Sequence, residues 1–266
     1  SAATTPATMH DPRMSRATPL QATLADAARA PALWLANWWR IALLGAALLA
    51  LALTPATYTR AYGHALAAQI VRGVAPALLG FTMMSALLSF VIIRIVVVTS
   101  VSYGLSQYAL EMVVRVLVLE LIPLTAALYA ALRCTIPRAA EVAALGGDGL
   151  NAERLQMQVL PRVATGLVCA LLLAAISAAV TLVLAYLAVY GFTSAGFEAY
   201  TRTVGQVFSP GVALVFGLKV AAMALAVALL PIASVLIAPA RPDALASAEV
   251  RGLVRMFFVI LLIEGA

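Results

Sequence analysis

The chain has 266 residues, 17 basic and 11 acidic; 64% are hydrophobic and 11% charged, and its mean hydropathy is +1.03. A soluble domain is about half apolar and a quarter charged, so this composition excludes one and leaves an integral membrane protein. Lys219 is the single lysine. The arginines stand one by one at the ends of apolar runs, as topology signals do, and not on a polar face interleaved with aromatics as in a nucleic-acid binder.

The apolar runs are long, rich in Ala and Leu and free of strand-like alternation, so the fold class is all-α and not a barrel. Residues 1–32 are a polar tail of Ala, Thr and Pro with Arg13, Arg16 and Arg29. It has no apolar core, which predicts a tail and not a signal peptide. Residues 33–72 read as interfacial and amphipathic helices. From Leu33 to Leu53, Trp34, Trp38 and Trp39 cluster beside Arg40, the composition of a helix seated at headgroup level. From Tyr58 to Arg72, Tyr58, Tyr62, Leu66 and Ile70 share one face, which predicts a separate in-plane amphipathic helix.

Residues 73–266 are the membrane domain, with crossings expected at about 74–98, 108–133, 163–190, 212–238 and 250–264. The Arg-rich loops at 133–162 and 239–255 are expected in the cytoplasm, and those at 99–107 and 191–210 outside. Arg60 and Arg72 then stay inside with the tail, so 33–53 dips into the membrane or lies along it. The expectation is five crossings in a bacterial inner membrane, N-terminus cytoplasmic and C-terminus periplasmic. Six crossings would require translocating the arginines of 60–72.

An ionised group at bilayer depth costs on the order of 2.5 to 3.5 kcal/mol, so the charges inside the crossings are the candidate functional residues. Glu111 and Arg115 are four apart and read as an ion pair along one helix. Glu120 lies about a dozen residues in from the outer loop and Lys219 about eight, so the two are placed to meet. They either line a substrate cavity or form a buried structural pair. Arg94 lies near the outer end of its crossing, where it can snorkel.

Pro123 and Pro231 are expected to kink their helices and free a backbone carbonyl. Cys134 and Cys169 have no CxxC spacing and no nearby His, so they are expected to be small membrane residues, neither a disulfide nor a metal site. His10 and His64 are isolated. The run Gly146-Gly147-Asp148-Gly149 lacks the Lys and Ser/Thr of a nucleotide cradle, and no HExxH or GxSxG is present. The expectation is therefore no enzyme and no cofactor or metal in this chain, with energy supplied from elsewhere. Between crossings, Asn151 precedes a short helical pattern with Leu155 and Val159 on one face and Glu153 and Arg154 beside them. It is either an ordinary surface loop or a docking helix for a soluble motor.

Several of these residues together resemble a known family. Glu120-Leu121-Ile122-Pro123, then Ala126-Ala127-Leu128, Arg133 and Ala140-Glu141 resemble the E-L-G-P...A-A-L...G-R...A-E core of the MlaE/YrbE permeases, the membrane subunits of ABC lipid transporters that work with MCE proteins. Leu160-Pro161-Arg162 is similar to that family's P-R at the next crossing, and Gly217-Leu218-Lys219 to its G-L-x-K. The resemblance covers about 55–264. It departs where Leu119 replaces an arginine and Ile122 a glycine, where the cytoplasmic segment is shorter and lacks M-G-x-D-P, and where Ala248-Glu249-Val250 replaces a Thr-rich turn.

The resemblance implies an MlaE-like fold, an N-terminal interfacial or re-entrant helix plus five transmembrane helices. It implies a dimer of two copies or homologues, cytoplasmic ABC ATPases binding ATP and Mg²⁺, and an MCE ring outside. The substrate would be phospholipid or a related lipid, moved between the inner membrane and the periplasm or outer membrane. Glu120, Lys219 and Arg94 would bind it, and Glu141, Leu145, Glu153, Arg154 and Leu155 would couple to the ATPase. The alternatives are a non-transporting scaffold or inactive paralogue, suggested by the shortened segment, and an ion-coupled carrier using Glu120.

Overall fold

The structure, a computed structural model, describes residues 35–51, 54, 60–105, 108–144, 153, 155–238 and 242–265. The chain divides into two compact units, Ser1–Ala42 and Leu43–Ala266. Of the first, residues 35–42 are described, all helical, with Trp39 two-thirds exposed. Among the described residues all regular structure is helical. The helices are α1 (Leu35–Leu51), α2 (Arg60–Ser102), α3 (Ala109–Ala143), α4 (Leu155–Tyr190), α5 (Phe197–Val207), α6 (Pro210–Leu236) and α7 (Pro242–Glu264).

Four of these, with α2 counted from Leu66, are long and apolar enough to cross a membrane. They overlap the first four expected crossings. The fifth expected crossing lies within α7, whose 23 residues span about 34 Å. That length suffices for a bilayer, and α7 runs against α6, but it carries Glu249, Arg251 and Arg255 before its last nine residues. The described part of α1 is an apolar helix shorter than the roughly 20 residues a crossing needs.

One expectation is corrected. Residues 60–72 are not a separate in-plane helix; they open a single helix of 43 residues ending at Ser102. Pro76 removes one ladder bond without ending it. Gly73 stands within it where a side chain would collide with that of Arg138.

Helix α4 is the centre of the second unit and packs against α2, α3 and α6. Its buried stripe is Gly166, Ala170, Leu173, Ser177, Thr181 and Ala185. Small residues at helical spacing let backbones approach closely, which is how helices associate where lipid removes the hydrophobic drive. A Cβ on Gly166 would lie 3.0 Å from Thr135 Oγ1 and 3.4 Å from Ala228 Cα. The buried hydroxyls of Ser89 and Thr181 hydrogen-bond at 2.8 Å, joining α2 to α4. Cys134 of α3 and Cys169 of α4 are joined in a disulfide, with Cα atoms 6.9 Å apart. This corrects the reading of two unpaired small residues: they are 35 apart in sequence, and only the packing of α3 on α4 brings the sulfurs together.

Three segments widen to π-helix, Val113–Leu121, Ala131–Thr135 and Leu155–Val159. Each stops two residues before a proline: Pro123, Pro137 and Pro161. The reason is local. A proline has no N–H for the carbonyl four residues back, and the preceding residue takes up an i→i−5 bond instead, Ile122 N–H to Leu117 O and Ile136 N–H to Ala131 O. Pro123 thus acts through a register change ahead of it.

After α4 the chain turns and α5 folds back against α3, and Tyr200 packs edge to face on both Tyr186 and Tyr190. Tyr200 donates its hydroxyl to Leu182 O at 2.8 Å, and burial holds that phenol above its ordinary value.

The tight contact at Gly166 predicts that Gly166→Leu lowers unfolding stability by about 1 to 3 kcal/mol through overpacking. Gly217→Leu is the comparison, since nothing lies within 4 Å of a Cβ there. Thermal unfolding in detergent should separate the two; equal melting temperatures would contradict the packing described.

Candidate functional site

The π-helical stretch Val113–Leu121 presents Glu120 at the surface of the bundle, its side chain 53% exposed. Lys219, on α6, is nearly covered. Its Nζ donates to Glu120 Oε2 at 2.5 Å and lies 3.3 Å from Glu264 Oε1. The three helices α3, α6 and α7 are therefore tied at one ammonium. Glu120 and Lys219, 99 residues apart in sequence, meet as their depths predict.

Glu264 is the member that sequence reasoning missed. It closes the otherwise apolar run Met256–Ile263, and read as the end of a crossing it carries no signal of depth. The signal available was its place on a helix following α6, which brings its last turn back beside the first half of α6. Glu264 is largely covered, and its Oε2 has no hydrogen-bond partner.

Chemically the trio is lopsided, with two carboxylates sharing one ammonium. Lys219 has three donors and spends two, leaving one for a further acceptor. Glu120 keeps acceptor capacity on its exposed side. Within five residues of Lys219 on α6, Leu214, Val215 and Leu218 are each about two-thirds exposed. Apolar surface next to a small charged patch suits an amphiphile.

The other expected residues fall elsewhere. Arg94 is exposed on α2 among Val91, Ile95 and Val98 and does not join the trio. Glu111 and Arg115 form the expected pair along the helix, at 3.0 Å. Glu141 is bound by Arg162, Nε to Oε2 at 3.3 Å, so the end of α3 is tied to the start of α4. Glu153 is exposed and Leu155 half-buried. Leu145 and Arg154 lie outside the described residues. Among the described residues no group of three or more His, Cys, Asp or Glu is placed to hold a metal.

Removing Lys219 should hurt more than removing a carboxylate. Lys219→Met leaves the half-exposed carboxylate of Glu120 facing the largely covered one of Glu264 and is expected to cost about 2 kcal/mol, whereas Glu264→Gln leaves a balanced pair and should cost less. Melting temperatures of the two variants in detergent check this, and the reverse order would contradict the arrangement.

Comparison with curated proteins gives no match. The family described as Permease MlaE matches residues 66–266. That stretch contains α3, α4, α5, α6 and α7 and all but the first turns of α2, with the whole Glu120–Lys219–Glu264 site. An all-α bundle with four helices long and apolar enough to cross a membrane, matched by this family over most of its length, places the chain in the MlaE permease family, as a multi-pass membrane permease.

Proposed function

We propose that this chain is the permease subunit of an ABC-type lipid transporter that works with an MCE-domain protein and moves phospholipid between the inner membrane and the periplasm or outer membrane. The observation that carries it is the half-exposed Glu120, held by Lys219 beside the bare apolar wall of α6. Acyl chains would lie along Leu214, Val215 and Leu218, and a headgroup would meet the free donor of Lys219 and the open side of Glu120. A headgroup bearing both a phosphate and an ammonium or hydroxyl answers both groups.

In this reading a second copy or a homologue covers the exposed faces of α2 and α6 and encloses the Glu120 site. A cytoplasmic ATPase binds ATP and Mg²⁺ and grips the segment between α3 and α4. The Arg162–Glu141 bridge makes that segment's ends a rigid pair, so force applied there is delivered to α3 and α4 together. Because α3 carries Glu120, the push reaches the headgroup site. The Arg-rich end is cytoplasmic by the positive-inside rule, and the MCE ring receives lipid at the opposite end.

The test is a photo-reactive amino acid placed at Leu218 in the complex purified with its ATPase. Irradiation should attach phospholipid at Leu218 and not at Phe192, which is almost fully exposed in the outer loop. The yield should fall several-fold in Glu120→Ala. Transfer of lipid in proteoliposomes should require ATP. Lipid adducts equal at both positions, or transfer that ignores ATP and follows a proton gradient, would contradict the proposal; the second result would favour an ion-coupled carrier.

A further inference from the structure

A second polar site lies at the opposite end of the bundle. A cavity of about 570 Å³ is lined by Ala68, Gln69, Arg72 and Gly73 of α2 and by Arg138 and Glu141 of α3. Arg138 is 18 residues beyond Glu120 on α3, which is about 27 Å of helix. The cavity is therefore separate from the Lys219 site.

Its charge is unbalanced. Glu141 is engaged by Arg162, whose Nη1 also donates to Gln158 O at 2.6 Å. Arg138 gives one N–H to the Cys134 carbonyl and keeps its remaining donors. Arg72 is exposed and has no acidic partner among the described residues. Two guanidinium groups thus border one cavity, and among the described residues the one carboxylate on its wall, Glu141, is bound by a third guanidinium, that of Arg162.

The fold makes room for this. A Cβ on Gly73 would land on the Arg138 guanidinium and come within 3.1 Å of Thr165 Cγ2. Only glycine at that position lets Arg138 lie across α2. Planar guanidinium groups bind phosphate oxygens in pairs, and basic pockets between membrane helices are built to take lipid headgroups. Val71, next to Arg72, is 63% exposed, so the rim sets apolar surface beside positive charge.

We propose that the cavity between Gly73 and Arg138 binds a phosphate-bearing anion, held by Arg72 and Arg138. A membrane lipid and a soluble phosphate share that chemistry. The inference does not depend on the transport reading, because it needs neither the ATPase nor the Glu120 site.

The experiment uses the full chain in nanodiscs. In one arm, native mass spectrometry counts phosphatidylglycerol retained against a phosphatidylcholine background; in the other, inorganic phosphate is titrated calorimetrically into chains in phosphatidylcholine alone. Retention of one phosphatidylglycerol per chain, or saturable binding of inorganic phosphate, supports the site and identifies its source. Arg138→Met and Gly73→Ala should each weaken binding at least tenfold, and so should Arg72→Gln, an exposed substitution that leaves packing intact. Arg202→Gln, at the outer end, should stay within twofold. Absence of binding in both arms overturns the proposal, as does binding that Arg72→Gln and Arg138→Met leave unchanged. Loss of ATPase association in Arg138→Met without phosphate binding by the wild type also overturns it and assigns the cavity to an acidic side chain of a protein.

Discussion

One ammonium group, Lys219 Nζ, holds carboxylates from two other helices, 2.5 Å from Glu120 and 3.3 Å from Glu264. A charge in hydrocarbon is tolerated only when paired and hydrogen-bonded. Satisfying Lys219 therefore constrains where α3, α6 and α7 sit relative to each other. Lys219 and Glu264 are largely covered and Glu120 is half open, so the same contact that joins the helices exposes acceptor capacity at one point. In the proposed function, packing and recognition are carried by the same three side chains.

The prolines place those side chains. A proline two residues past the end of a π-helical stretch explains why α3 and α4 depart from regular pitch where they do. Glu120 lies within the first such stretch, and the wider turn sets the direction in which it emerges. Around α4, glycine, alanine and buried hydroxyl contacts sit beside fully buried apolar side chains such as Phe81, Ile93, Leu117 and Leu173. Large apolar side chains such as Leu79, Met83, Leu87 and Ile95 instead point away from the bundle, as they must where the surroundings are lipid or another membrane subunit.

Much of this was legible from residue order alone. Apolar runs of the right length located the four helices long and apolar enough to cross a membrane, and the depth of Glu120 and Lys219 within theirs put the two within reach of each other. What escaped was information that arises only in three dimensions. Glu264 looked terminal until α7 was seen to return along α6. Cys134 and Cys169 share no motif, and they meet because α3 lies on α4. The amphipathic pattern at 58–72 was read as a separate helix because an apolar face is the same signal in plane and at the entrance to a long crossing. Arg138 appeared as a topology marker, and its reach across Gly73 depends on two helices touching at a residue without a side chain.

The central claim is energetic coupling through Lys219, and a double-mutant cycle of Glu120→Gln and Lys219→Met in detergent, followed by reversible unfolding, tests it most directly. The account predicts that the double variant is more stable than the sum of the single losses by at least about 1 kcal/mol, because removing Glu120's charge relieves the carboxylates left by Lys219→Met. Losses that add to within about 0.5 kcal/mol would show that the two groups stand side by side without interacting, and would contradict it.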